Sequence, residues 1–409
     1  MANVFINSKS VKVFLGTVIE AMPYLRASKS YFKDQIVGKK CGRTYSFYLP
    51  DSGTPTDGLT ITADDRKTIV EKSIDLTVKN KKSVVALDIL SKVVDMENFM
   101  ETVSEPYARQ LGVQIQKDVI SDNLFKAGSV TVSSDGWSGM AGIAAQIRAT
   151  RQGAKITGYL DPLVTAKLAS NALNNFRFSD SGPIATKMYS ENAVGKFGGA
   201  EWVEINDLPE VIVPSTGIAD LSVNSAVVIA SETYLNIVGN SASTGTLPAG
   251  YAFTLPTCYS CDLIGNKTKS KFGFIVQEDT VLSGATAVNV PVQNLITENI
   301  GSRNCYIGNG LNSAANLEAV SGNVNYILSA GVTYLPCEVR TDACLAYDDV
   351  PMEDLAGAKT ETAKVGEIQM KVTTDGDFDT MVNSSRWDLA YLAGKTDIRE
   401  SGLTYVPLI

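Results

Sequence analysis

An α+β fold of about two or three domains is predicted by three changes of hydrophobic period along the 409-residue chain. Apolar positions alternate from Cys41 to about Leu90, then recur at helical spacing from Met96 to Gly128. Between about Ser215 and Gly322 the composition turns to Ser, Thr, Gly, Asn and Val, and short strands follow one another. A hydrophobic content of 44% with 20% charged residues fits a chain that buries real cores.

Residues 1–40 read as an arm. Val11, Phe14, Leu15, Val18 and Ile19 share one helical face, and Pro23 stops the helix. So short a segment makes no core of its own and has to dock on something. In 41–95, Tyr45, Phe47 and Leu49 alternate up to Pro50, and SGTPTDG forms a tip. Ile74, Leu76 and Val78 then alternate up to a basic turn at Lys79-Asn80-Lys81-Lys82, and Val84, Val85, Leu87 and Ile89 follow. This is the pattern of long hairpins, which are marginal in water unless another surface covers them.

In 96–150, Met96, Phe99, Met100, Val103, Tyr107, Leu111, Ile115, Val119 and Leu124 trace one stripe, with Pro106 bending or restarting the helix and Gly128 as its C-cap. A single rod from Glu97 to Ala127 spans on the order of 45 Å, a spine rather than a core helix. Further helices are expected at Trp137–Arg151 and Leu163–Leu173. In 216–322, strands are expected at 226–229, 234–238, 251–255, 272–276 and 287–292, with LPAG and IGNKTKSK as turns. Mixed sequence resumes from Asn323, so this stretch reads as an all-β barrel or sandwich inserted between 151–215 and 323–409. Asp348, Asp349, Glu353 and Asp354 are placed on a solvated loop.

The chain contains no histidine, which removes Ser-His-Asp and Cys-His catalysis and most zinc enzyme sites. No Walker phosphate loop is present, Gly308-Asn309-Gly310 reads as a turn, and Gly136-Trp137-Ser138-Gly139 has the wrong spacing for a nucleophile elbow. Cys41, Cys258, Cys261, Cys305, Cys337 and Cys344 are expected as free thiols. Cys258 and Cys261 form one C-x-x-C with no second pair to complete a zinc site. The acidic loop misses the EF-hand spacing. No catalytic residue, metal or cofactor is expected. No apolar run is long enough to span a membrane, and the N-terminus lacks a secretory layout, so cytoplasmic folding is expected.

Net charge is −8 and unevenly spread. Residues 1–40 carry seven Lys or Arg against Glu20 and Asp34, whereas 338–379 carry eleven acids against Arg340, Lys359, Lys364 and Lys371. Such asymmetry points to different surroundings for the two ends.

The last 34 residues run from a polar, flexible Asp379–Arg386 through Trp387, Leu389, Tyr391 and Leu392 to a Gly394 turn. They end in the apolar alternation Leu403, Tyr405, Val406 and Leu408. An end this apolar frays unless a sheet ties it in. The block resembles the C-terminal end of tailed-bacteriophage major capsid proteins, more closely the podovirus coat-protein type with an inserted β-domain. Four upstream blocks resemble that family in order: VGKKCGRTYSFYLP with KSIDLTVKNKKSVVALDI, MENFMETVSEPYARQLGVQIQKDVISDNLFKAG, ENAVGKFGGAEWVEINDLPE with LPAGYAFTL and KFGFIVQ, and NYILSAGVTYLPCEVRTDACLAYDD.

The resemblance implies an N-terminal arm, an extended β-loop, a spine helix, and peripheral and axial domains, the axial one built from 151–215 with 323–409. It also implies a non-enzymatic virion subunit, assembled in the host cytoplasm into pentamers and hexamers of an icosahedral head. Its partners are then other copies of itself, a scaffolding protein, a portal and, non-specifically, packaged double-stranded DNA, with no membrane. Lys9, Lys12, Phe14, Lys79, Lys81, Lys82, Trp387 and Tyr405 are the expected assembly or interior-facing residues. The alternatives are an encapsulin-like compartment shell, a β-rich binding protein, and an enzyme using paired carboxylates, for which no supporting pattern is present.

Overall fold

The computed structural model describes residues 8–32, 44–49, 58, 60–61, 72–88, 105–175, 195–218, 220–223, 233–296, 301–308, 322–323, 325–326, 328–350, 352, 359–365, 368–377 and 382–408. Among them are four α-helices: α1 (Ser8–Glu20), α2 (Glu105–Asn123), α3 (Trp137–Thr150) and α4 (Pro162–Asn175). The first strands are β1 (Thr44–Leu49), β2 (Lys72–Thr77), β3 (Lys79–Asp88), β4 (Ser129–Val132), β5 (Ile156–Leu160), β6 (Lys196–Phe197), β7 (Ala200–Glu204) and β8 (Val211–Ile212). A run of short strands follows: β9 (Ser222–Val223), β10 (Tyr234–Val238), β11 (Thr246–Leu247), β12 (Ala252–Cys261), β13 (Lys267–Ile275), β14 (Thr280–Val281), β15 (Val288–Pro291), β16 (Cys305–Ile307), β17 (Gly322–Asn323) and β18 (Asn325–Tyr326). The last are β19 (Thr333–Thr341), β20 (Leu345–Asp349), β21 (Lys359–Val365), β22 (Ile368–Asp377), β23 (Val382–Lys395) and β24 (Ser401–Leu408).

The chain divides into two compact units and passes between them repeatedly. One comprises Met1–Phe47, Asp75–Asp122 and Leu345–Gly394; the other comprises Tyr48–Ile74, Asn123–Cys344 and Lys395–Ile409. This division differs from the sequence-based one, because Leu345–Gly394 goes with the arm and α2 while 151–215 does not. The reason is strand pairing: β3 aligns antiparallel along β23 from Asp88↔Val382 to Lys79↔Tyr391.

In the first unit β20, β23, β22 and β21 lie side by side, with β3 also paired to β23. The arm helix α1 lies on β21 and β22. Of the predicted stripe, Val11, Phe14, Leu15 and Val18 are buried and Ile19 is half-buried, and the Phe14 ring stacks on Trp387 at 3.8 Å between centroids. Pro23 opens a short 3-10 turn, Pro23–Arg26, rather than simply ending the helix. Beyond it, the Asp348 carboxylate accepts the backbone N–H of Tyr31 (3.0 Å) and Phe32 (3.1 Å) and the Ser30 hydroxyl. Within 8–32 the arm is therefore docked, and the surface it docks on is its own chain. Asp348 is buried and serves as its clasp, so the solvated acidic loop is corrected there; Glu353 and Asp354 lie outside the described residues.

The spine is shorter at its C-terminal end than predicted. α2 has 19 residues, about 28 Å at 1.5 Å per residue, buries Ala108, Leu111, Ile115, Val119 and Ile120, and carries Pro106 in its first turn. The predicted 96–104 portion lies outside the described residues. Gly128 caps nothing, since the helix ends at Asn123. Its N–H donates to Ile398 O (2.9 Å) and Ser401 O (3.1 Å), and a Cβ there would sit 2.9 Å from the Ile398 oxygen. Glycine lets two backbones touch at that point.

In the second unit a mixed sheet runs β4-β24-β19-β5-β7-β6, with β8 also on β19. The C-terminal strand β24 is interior to it, parallel to β4 and antiparallel to β19. The apolar terminus is thus tied in on both edges. Met140, Ile143, Ala144 and Ile147 of α3 and Val164 and Leu168 of α4 close one core with Leu335, Cys337, Val339, Trp202 and Val406. The remaining sheets are β15-β10-β9-β17, β11-β14, and β13-β12-β16 with β18 on β12, and every ladder among them joins residues between 222 and 326. The expected strand at 226–229 lies outside the described residues.

Two expected turns are strands. Lys79–Lys82 belongs to β3, and Lys267–Lys271 of the expected IGNKTKSK turn belongs to β13, leaving only Asp262–Asn266 as the reversal. Val382–Arg386 and Gly394, expected as flexible segment and turn, both lie in the 14-residue β23. Gly394 is there because Leu76 crosses over it: a Cβ would meet Leu76 Cδ2 at 2.2 Å.

Candidate functional site

Strands β1 and β2 form a two-stranded sheet and pair with no third strand among the described residues. The Ser46 hydroxyl donates to Asp75 (2.6 Å), and Phe47 meets Tyr31 edge-on at 5.1 Å while Tyr45 lies 5.8 Å from Phe32. These contacts fix the root of the ribbon. Further along β1, Tyr48 is 62% exposed. A two-stranded ribbon is marginal alone and offers unpaired N–H and C=O groups along both edges. Its chemistry is that of a docking element.

The predicted site residues separate into two classes. Phe14, Trp387 and Tyr405 are buried within their own units; the Tyr405 hydroxyl donates to Gly250 O (2.6 Å). They pack inside the cores of those units. Lys79 pairs with Asp122, and Lys81 with Asp118 at 2.7 Å, so both reach acids of α2 in the same unit. Alternation along β3 directs them to α2, so the expected basic turn is a strand whose two lysines are paired within the unit. Lys12 and Lys82 are exposed; Lys9 lies in α1, with its side chain outside the described residues.

No group of three or more His, Cys, Asp or Glu positioned for a metal occurs among the described residues. Cys258, Cys261, Cys305, Cys337 and Cys344 are free and buried; Cys41 lies outside the described residues. Burial, with Cys258 alongside, holds the Cys305 thiol well above its ordinary range, so it resists ionisation. Ser138 sits in the first turn of α3, where its N–H (3.2 Å) and hydroxyl (2.8 Å) donate to Asp135, a helix-start arrangement.

Asp349 has an unusual environment. Burial beside Tyr347 pushes its carboxyl up to about 8 from an ordinary 3.8, against the backbone N–H of Gln369, which donates to it. Folding therefore favours the protonated acid. That contribution is complete below the ordinary value and is lost as pH rises toward 8. Asp349→Asn, which keeps the acceptor for Gln369, is expected to match the wild type at pH 4 and to melt a few degrees higher at pH 8.5, a gain of order 1 kcal/mol. Thermal melts across that range check it; an identical decline in both proteins contradicts it.

Two buried polar centres went unnoticed in the sequence. Arg399, 4% exposed, gathers Asp397 and three backbone carbonyls, and Lys395 with Glu338 forms an ion pair at 2.6 Å with both side chains fully buried. Neither is marked by local spacing; the only signal is cations inside an otherwise apolar terminal segment.

No protein-family model and no curated protein matches the chain. Among solved structures it is similar to one of Mycobacterium phage Che8, with a TM-score of 0.45 and 11% identity over 94% of this chain and 90% of that one. It is also similar to the capsid of Cyanophage P-SCSP1u (TM-score 0.45, 11% identity, 93% and 88% covered). The capsid of Ralstonia phage GP4 gives a TM-score of 0.41 at 8% identity, with 93% and 92% covered. No helix among the described residues is long and apolar enough to cross a membrane.

Proposed function

We propose that the chain is the major capsid subunit of a tailed bacteriophage, a structural protein that assembles into pentamers and hexamers of a head enclosing double-stranded DNA. The observation that carries this reading is the ribbon of β1 and β2. It leaves its edges open along the described strands and exposes Tyr48, so a neighbouring copy is what completes it. The order of sequence blocks resembling tailed-phage coat proteins supports the same reading. The ladders confined to 222–326 support an inserted β-domain of the podovirus type, lying between parts of the second unit. A scaffolding protein, a portal and non-specific contact with DNA complete the expected set of partners.

Deletion of Gly53 to Lys67 tests the ribbon. The described ladders of the larger sheets run through other residues, so the variant is expected to keep the wild-type circular dichroism spectrum while forming no closed shells by electron microscopy. Normal shells from that variant would refute the assigned role.

A further inference from the structure

The outer face of the β13-β12-β16 sheet is built differently from the rest of this acidic chain. Lys267, Lys269 and Lys271 alternate along β13 and so share a face. In register, Tyr259 on β12 stands opposite Lys271 on one side and Tyr306 of β16 on the other. The Lys271 and Lys267 ammonium groups lie 3.7 and 3.9 Å from the centre of the Tyr259 ring, and Arg303 lies 5.6 Å from that of Tyr306. None of the three lysines is within ion-pair distance of a carboxylate among the described residues.

This face is held rigid at one end. In the reversal between β12 and β13, Asp262 Oδ1 accepts the N–H groups of Ile264 (3.0 Å) and Asn266 (2.8 Å). Arg399 grips the Asp262 carbonyl (2.9 Å) together with those of Gly301 (3.0 Å) and Arg303 (3.2 Å). Ile264, 53% exposed, stands at this fixed tip beside the lysines. A preorganised apolar anchor flanked by unneutralised cations is the anatomy of a protein-docking surface.

The same unit carries the complement. Residues 201–212 hold Glu201, Glu204, Asp207 and Glu210 with no Lys or Arg, and Glu201, Glu204 and Glu210 are exposed. The stretch ends at Ile212, 64% exposed on β8. We propose that the lysine–tyrosine face of β12, β13 and β16, led by Ile264, docks on the carboxylate stretch Glu201–Ile212 of a second copy of this chain. Each copy then offers one donor and one acceptor surface, a head-to-tail contact of the kind that builds a ring when its rotation closes. The inference rests on the shell reading, and it is more specific. Nucleic acid is the poorer partner for this face, because base stacking needs an open aromatic ring and two ammonium groups already cover Tyr259.

The test is zero-length carbodiimide cross-linking of full-length protein mixed from ¹⁴N and ¹⁵N copies, with and without nuclease. Mixed-isotope links from Lys267, Lys269 or Lys271 to Glu201, Glu204 or Glu210 are expected. They should vanish in the triple variant Lys267→Glu/Lys269→Glu/Lys271→Glu. They should also vanish in the reciprocal Glu201→Lys/Glu204→Lys/Glu210→Lys, and association should return when the two variants are mixed. Such links in oligomers that form no shells uphold the contact and refute the shell reading. Mixed-isotope links that join only other residues, or none, overturn the proposal. So does wild-type assembly by both variants, or lysine protection that disappears with nuclease, which would assign the face to nucleic acid.

Discussion

Replacing Lys395 by methionine is expected to destabilise the protein by about 3–5 kcal/mol, the cost of breaking a buried ion pair from one side. The ammonium is fully buried and lies 2.6 Å from Glu338 Oε1. It also donates to Lys126 O and Ser401 Oγ, each at 2.8 Å, and the Ser401 hydroxyl donates in turn to Glu338 (3.2 Å). Without the ammonium, the carboxylate loses its closest cation, with Arg340 3.8 Å away, and the carbonyl of Lys126 loses this donor. Methionine fills the volume but supplies no proton. Urea denaturation should show the midpoint fall with little change in slope, and thermal melting should drop on the order of 10 °C. The double variant Lys395→Met/Glu338→Leu should not recover the loss, since it takes from the fully buried Arg340 the carboxylate that faces it. A single variant as stable as the wild type contradicts the assignment.

Arg399→Ala is expected to act on the same scale, about 3 kcal/mol, and to leave a local signature as well. The guanidinium holds Asp397 through two nitrogens, at 2.9 Å to Oδ1 and 2.6 Å to Oδ2, and spends Nη1 on the three carbonyls of Asp262, Gly301 and Arg303. Alanine leaves those carbonyls buried without this donor. Lysine should rescue poorly, because a single ammonium cannot reproduce the planar fork. Hydrogen exchange should accelerate at 262–266 and 301–304 before the seven-stranded sheet opens. Unchanged protection in both segments would show that Arg399 does not fasten them.

Sequence periodicity located the elements whose burial is set by their own face. The stripe Val11, Phe14, Leu15 and Val18, the helices α3 and α4, strand β10 and the terminal strand β24 all follow from spacing alone. Periodicity misled where a polar run is strand because of a distant partner. Lys79–Lys82 contains no apolar residue to reveal alternation, yet Lys79 and Lys81 reach the α2 acids Asp122 and Asp118. Lys267–Lys271 reads as a loop for the same reason, until Tyr259 places two of its lysines over one ring. Gly394 looks like a turn residue because the side chain that crosses it, Leu76, lies more than three hundred residues earlier. Asp348, Arg399 and the Lys395–Glu338 pair were illegible on similar grounds. Their partners are fixed by folding rather than by spacing, and nothing in the local pattern separates a buried charge from a solvated one.

The candidate surfaces were legible to different degrees. The ribbon was visible as two alternating runs around a turn-rich tip, although β3 pairs with β23 rather than extending a second hairpin. The aromatic and basic residues first singled out were mostly core or internally paired. Aromatic content at a chain end signals burial as readily as it signals an interface.

The most direct test of the shell account is negative-stain electron microscopy of fresh lysate expressing this chain, with and without its neighbouring genes. The account predicts uniform hollow shells tens of nanometres across in at least one of the two samples. Only monomers or small oligomers in both would contradict it.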